Sequence, residues 1–211
     1  MNTCYIFGSL PVSSFNFETD ETDFIIAADK GLENTKKFNI MPHTIIGDFD
    51  SLQFTPVGEN VIKHPVMKDD TDLMLSIKYG LEKGYKTFYI FGCVGERLDH
   101  TIASVQAAAF VKENGGHAFF YGNETFLTII EKEKITFSDN CSGVISVFSY
   151  TENADVTISG LLYKVENVTI NQNNPLGVSN EFIGKKSSIS SHSGKALIIC
   201  NTNNTEFTLG E

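Results

Sequence analysis

The residues best suited to chemistry in this sequence are acidic and come in short clusters. Asp48 and Asp50 stand in TIIGDFDSL (44–52), separated only by Phe49. KDDTD (68–72) places three carboxylates within five residues, and ADKG (28–31) and GERLDH (95–100) add Asp29 and Asp99. A helix N-cap needs one short polar side chain. Capping therefore accounts for Asp29, Asp99 or Thr71 singly, but not for Asp48 together with Asp50, nor for the 68–72 cluster. In an extended chain, residues i and i+2 share a face about 6.5–7 Å apart, so Asp48 and Asp50 would face the same way and repel. A hard divalent cation relieves such repulsion. Mg2+ takes oxygen ligands, commonly one or two carboxylates completed by water and substrate phosphate. The spacing thus points to a metal-held polyphosphate. Arg97 offers a planar fork for phosphate oxygens and Lys68 a point charge. Gly92 and Gly95 let the backbone approach a ligand closely. His100 is a candidate base, or more simply a residue bonded to nearby backbone.

These motifs share a place in the pattern of elements. CYIFG (4–8), FIIAA (24–28), HTIIG (43–47), NVIKH (60–64), TFYIFG (87–92) and HAFFYG (117–122) are continuous apolar runs, as in strands covered on both faces. Helical spacing appears from Thr71 to about Lys83, with Leu73, Ile77 and Leu81 inward and Gly84 as a stop. It appears again from about Asp99 to Glu113, with Ile102, Val105 and Ala109 inward. Strand–helix alternation predicts a doubly wound, mostly parallel sheet over residues 1–122. Each acidic motif then lies just past the C-terminal end of a strand, where open α/β sheets bind ligands. The expectation is that Asp29, Asp48, Asp50, Asp69, Asp70, Asp72 and Asp99 meet in one crevice. From about residue 123 the rhythm changes to short β-branched runs: TFLTII, KITF, GVISVFS, DVTISG, LLYKVENVTI, KALIIC and EFTLG, divided by Asn, Gly and Ser turns. Residues 123–211 read as an all-β sandwich or barrel without helices.

Bulk properties narrow the partners. The net charge of −10 argues against nucleic acids, which need clustered Lys and Arg. It also means that a polyphosphate would need a cation. No apolar run is long enough to cross a bilayer. The opening MNTCYIFGSL has no basic segment followed by a long apolar stretch. Cys4, Cys93, Cys141 and Cys200 are widely spaced and form no CxxC pair. They are expected to be reduced thiols in a cytoplasmic protein.

In order and spacing, AADKG, PHTIIGDFDS, KDDTD and GCVGERLDH resemble the signature blocks of the thiamin pyrophosphokinase (thiamin diphosphokinase) family. GLLYKVENVTI with GVSNEF (160–182) is similar to that family's thiamin-binding block, so the resemblance spans nearly the whole chain. It implies an α/β ATP- and Mg2+-binding catalytic domain over 1–122 and a β-sandwich thiamin-binding domain over 123–211. It also implies a homodimer with thiamin sites between subunits. The implied reaction moves pyrophosphate from ATP to the hydroxyl of thiamin, giving thiamin diphosphate and AMP. By motif position, Asp48, Asp50 and Asp72 are the implied metal ligands, and Arg97 and Asp99 complete the catalytic set. Asp29, Lys68, Asp69, Thr71 and Arg97 would line the ATP site, and Asp99, Tyr163, Ser179 and Asn180 the thiamin site. Glu96 stands where many relatives carry Gly, Ser104 where many carry Asn, and Tyr163 where some carry Trp. A pyrophosphokinase for another alcohol, such as a pterin, would keep the first-half motifs without the GLLY and SNEF blocks. A non-catalytic thiamin-binding protein would be expected to have damaged acidic motifs.

Overall fold

The computed structural model describes residues 2–50, 56–65, 69–201 and 205–210. The chain divides into two compact units, Met1–Asn123 and Glu124–Glu211. Among the described residues, no helix is long and apolar enough to cross a membrane.

In the first unit the apolar runs become six strands: β1 (Thr3–Phe7), β2 (Phe24–Ala28), β3 (Thr44–Gly47), β4 (Val61–Lys63), β5 (Thr87–Phe91) and β6 (His117–Tyr121). They lie in the order β6-β5-β1-β2-β3-β4, and every adjoining pair is parallel. The chain runs from β1 out to β4, then returns to the other side of β1 for β5. Strand order therefore reverses at β1, the kind of place where parallel sheets open a crevice. Phe7 pairs with both Ala27 and Phe91, so β1, β2 and β5 end level.

Three helices join these strands: α1 (Gly31–Lys37), α2 (Asp72–Glu82) and α3 (Leu98–Glu113). In α2, Ile77 is buried as expected, but Leu73 and Leu81 are only half-buried, and the deepest positions are Ser76, Ile77 and Gly80. The reason is Gly80: a Cβ there would stand 2.6 Å from the Phe88 ring and 3.1 Å from the Cys4 sulfur. Its absence lets α2 settle onto the sheet along that line. α3 is rotated away from the orientation expected from its sequence. Ile102 is 54% exposed, and the buried positions are Ser104, Ala107, Ala108, Ala109 and Val111. A stripe of small side chains brings the helix close to its neighbours, and this outweighs the larger Ile in setting its rotation. No helix links β1 to β2. Phe15 and Phe17 lie instead against Tyr5, Phe7, Tyr89, Phe91 and Tyr121, with ring centroids 5.0–6.2 Å apart.

The second unit is antiparallel throughout. Its strands are β7 (Thr125–Glu131), β8 (Lys134–Phe137), β9 (Val144–Ser149), β10 (Asn153–Ser159), β11 (Val165–Asn171), β12 (Gly177–Glu181), β13 (Ser187–Ser193), β14 (Lys195–Asn201) and β15 (Phe207–Gly210). Four of them run in the order β12-β9-β14-β7 and five in the order β11-β10-β13-β8-β15. Phe126 and Phe137, one from each layer, meet edge to face at 6.5 Å. β12 and β13 are absent from the strands expected from sequence. β13 reads SSISSHS and turns its serines inward, with Ser187, Ser188 and Ser191 buried. A strand built this way shows no apolar alternation.

Candidate active site

The C-terminal ends of the parallel strands enclose a cavity of about 430 Å³. Gly8, Ser9 and Leu10 enter it after β1, Asp29 and Lys30 after β2, and Asp50 after β3. Thr71, Asp72 and Leu73 come from the start of α2, Gly92, Cys93 and Arg97 from the β5–α3 turn, and His100, Ala103 and Ser104 from α3. Its floor is the contact between Gly8 and Gly92. Gly8 N donates to Phe91 O at 2.7 Å and Leu10 N to Gly92 O at 3.0 Å. A Cβ on Gly8 would lie 2.2 Å from Cys93 Sγ, and one on Gly92, whose φ is +69°, would lie 2.5 Å from Leu10 O. Only glycines allow these two loops to cross.

The acidic residues reach the cavity through unusual backbone. Asp29 is buried with φ +49°, and its N–H donates to Ile46 O at 2.7 Å. It is not a cap: Lys30 holds the N-cap position of α1, without a side-chain bond. The 48–50 segment is not extended either, which corrects the face-sharing expectation. Phe49 has φ +64° and is 4% exposed, packed among Ala27, Leu32, Ile45 and Val61. The ring plugs the core while its two neighbours turn outward, and Asp50 N donates to Asp48 Oδ1 at 3.1 Å. Thr71 caps α2, its Oγ1 accepting from Met74 N at 3.2 Å, which puts Asp72 in the first helical turn.

Electrostatics tie these acids together. The Asp50 carboxyl is pushed above the usual carboxylate range, first by the charge of Asp48, then by its hydrogen bond with Asp48 and by burial, and then by the charges of Asp29 and Asp72. Four carboxylates, one after β2, two after β3 and one at the start of α2, therefore share one field. Among the described residues, no three His, Cys, Asp or Glu side chains form a ready-made metal cage. A Mg2+ ion there would take one or two of these carboxylates and fill its remaining positions with water and phosphate oxygens. The donors are all hard oxygens, so the residues fit the ion.

Other candidates are placed differently. Arg97 lines the cavity but pairs with Asp99: Nε donates to Oδ1 at 3.2 Å and Nη2 to Oδ2. The guanidinium holds the exposed Asp99 carboxyl below the usual range. Asp70 turns away to Lys78 Nζ at 2.6 Å, and Asp69 is exposed in the turn before Thr71. Lys68 lies outside the described residues. Burial pushes the Cys93 thiol up to about 12, which favours its neutral form. Ser104 donates from Oγ to Cys93 O at 2.7 Å and so fixes the loop after β5.

The second unit offers an apolar slot of about 80 Å³ between the Tyr163 turn and β12, with Val147, Ile158 and Val178 among its walls. Tyr163 is 65% exposed beside it. The buried Asn180 amide holds this turn: Oδ1 accepts from Tyr163 N at 2.9 Å and Glu181 N at 2.9 Å, and Nδ2 donates to Tyr163 O at 2.7 Å. Asn180 thus positions Tyr163 through backbone. Ser179, with φ +60°, is exposed, and its N–H donates to Ser146 Oγ at 3.1 Å.

Two family models match the chain. Residues 15–119 match "Thiamin pyrophosphokinase, catalytic domain" and residues 129–196 match "Thiamin pyrophosphokinase, vitamin B1 binding domain", together more than four fifths of the chain. The chain belongs to the thiamin pyrophosphokinase family. Thiamin pyrophosphokinases form thiamin diphosphate from thiamin, so this chain is a transferase of that kind. A thiamine pyrophosphokinase from Bacillus subtilis is 28% identical over 192 residues, spanning 87% of this chain and 90% of that one. The crystal structure of thiamine pyrophosphokinase from the same species superposes with a TM-score of 0.83 at 24% identity, covering 96% of this chain and 100% of that one. Thiamin pyrophosphokinase from Geobacillus thermodenitrificans gives a TM-score of 0.79 at 23% identity, covering 96% and 98%. The α/β plus β-sandwich architecture is thus that of solved thiamin pyrophosphokinases. No motif in the sequence marks Phe49 as the plug of the acidic turn. Its one signal was an aromatic residue wedged between two carboxylates.

Proposed function

We propose that the chain transfers pyrophosphate from ATP to the hydroxyl of thiamin, releasing AMP, and that the cavity at the end of the parallel sheet holds the ATP polyphosphate with Mg2+. The observation that carries this reading is the Asp50 carboxyl, held in the combined field of Asp48, Asp29 and Asp72 inside a cavity at the strand-order reversal. In an acidic chain such a site welcomes a polyphosphate only with a cation. Asp48, Asp50 and Asp72 would hold Mg2+, which when bound would offset the charge of the phosphates.

Placement supports the remaining proposed roles. Gly8 and Gly92 give the nucleotide close access to backbone. Asp29 and Thr71 line the cavity, and Asp69 lies in the turn that leads into it. Arg97 is the one guanidinium at the cavity wall, suited to charge on the transferred group. In its pair with Arg97, Asp99 accepts a proton poorly, because the guanidinium favours its ionised form. If Arg97 turns to the phosphates, Asp99 is released to face the thiamin hydroxyl. The open Tyr163 ring suits the cationic ring of thiamin, with Asn180 holding the turn and Ser179 at its edge. Leu162, Leu176 and Val178, exposed beside Tyr163, would be covered by a second copy of the chain in a homodimer. The four cysteines are unpaired, in keeping with a cytoplasmic protein.

The test is incubation of the full chain with ATP, Mg2+ and thiamin, with products separated by chromatography. Equal amounts of AMP and thiamin diphosphate are expected, and both should vanish on chelation. ADP with thiamin monophosphate would refute the pyrophosphate transfer. AMP formed only with a pterin would move the activity to another alcohol, and thiamin binding without AMP would make the chain a non-catalytic binder.

A further inference from the structure

The wall of the cavity is held by a residue outside every acidic motif. Asn34 lies on α1 and is 6% exposed. Its Nδ2 donates to Gly8 O and to Leu10 O, each at 2.8 Å, and its Oδ1 accepts from Val12 N at 3.1 Å. Lys37, nearly one turn further on, donates from Nζ to Val12 O at 2.6 Å. Gly8, Ser9 and Leu10 line the cavity, and α1 begins two residues after Asp29. One short helix therefore ties the wall after β1 to the carboxylate after β2.

We propose that Asn34 is a positioning residue for the nucleotide: it fixes the Gly8–Val12 segment as a cavity wall and keeps two of its carbonyl oxygens bonded. The proposal rests on the ATP reading of this cavity. A buried carbonyl without a donor is a concentrated partial negative charge, and low dielectric magnifies it. Asp29, Asp50 and Asp72 already line the same space, so two further acceptors would add to the repulsion of a polyphosphate. An amide supplies two donors and one acceptor while remaining neutral. Lys or Arg in its place would bring a cation able to pair with the nearby carboxylates and draw them from the metal.

The experiment measures steady-state kinetics of the full chain with Mg2+, varying ATP and thiamin separately, for wild type, Asn34→Ala and Lys37→Met. Each variant is first checked by thermal melt to be folded at the assay temperature. The expected result is a KM for ATP raised about tenfold in Asn34→Ala and a few-fold in Lys37→Met, with KM for thiamin within twofold of wild type. A merely structural role would lower the active fraction and kcat while leaving both KM values in place. The proposal is overturned if folded Asn34→Ala keeps its KM for ATP within twofold of wild type, or if both KM values rise together. Should Asn34→Ala not fold, Lys37→Met is judged by the same two criteria. A wild-type chain that releases no AMP fails the ATP reading and this proposal with it, whereas an active wild type with unmoved variants fails this proposal alone.

Discussion

Replacing Phe49 with alanine tests how the fold presents its acids. The ring is 4% exposed and packs on Ala27, Leu32, Ile45 and Val61. Truncating a buried aromatic to Ala costs about 3–5 kcal/mol. For a chain of this size each kcal/mol lowers Tm by roughly 2–4 °C, so Phe49→Ala should melt roughly 6–20 °C below wild type. The backbone adds a sharper signature. At φ +64° any side chain with a Cβ is strained by about 1–2 kcal/mol, and glycine escapes that strain. Phe49→Gly should therefore melt above Phe49→Ala, the reverse of the order usual in a core. Because the ring holds the Asp48–Asp50 turn outward, both variants should also lose most of the stabilisation that Mg2+ with ATP gives wild type. The assay is a thermal melt by circular dichroism with and without Mg2+ and ATP. A Tm for Phe49→Ala within about 2 °C of wild type, or a Gly variant less stable than the Ala variant, would refute the plug.

Asp50→Asn should abolish AMP formation yet raise the Tm of the metal-free protein at neutral pH. The carboxyl of Asp50 is raised in the folded chain, so its ionised form opposes folding above that raised value, and the penalty fades as pH falls through it. Melts of both proteins across acid pH should thus converge, and a constant gap or a less stable variant would count against mutual repulsion. Asn180→Ala removes three hydrogen bonds worth about 0.5–1.5 kcal/mol each, less where water reaches the exposed Tyr163 turn. It should lower Tm by several degrees and raise KM for thiamin at least tenfold with KM for ATP unmoved, and an unchanged thiamin KM would leave Asn180 a purely structural residue.

The parallel half was legible because strands covered on both faces are written as unbroken apolar runs, and an acidic motif follows most of them. The neighbourhood of Asp29, Asp48, Asp50 and Asp72 follows from that regularity. What escaped was set by tertiary contact. The left-handed turn at Phe49 exists because a ring fits beneath α1. Asp70 is drawn from the cluster by Lys78, eight residues away. The rotation of α3 follows its small alanines, which carry no strong apolar signal, and β13 hides because its buried face is serine. Asn34 sits among Lys and Glu in GLENTKK, and only the folded loop beside it reveals its three bonds.

Carboxylates from separate strand ends are expected to hold one divalent ion on the nucleotide. Mn2+, standing in for Mg2+, can be titrated with a non-hydrolysable ATP analogue while free Mn2+ is followed by electron paramagnetic resonance. Wild type should bind the ion with the analogue present, and Asp50→Asn and Asp72→Asn should each weaken it at least tenfold, whereas Asp70→Asn should match wild type. Equal Mn2+ affinity in all four proteins would show that Asp50 and Asp72 do not hold the ion.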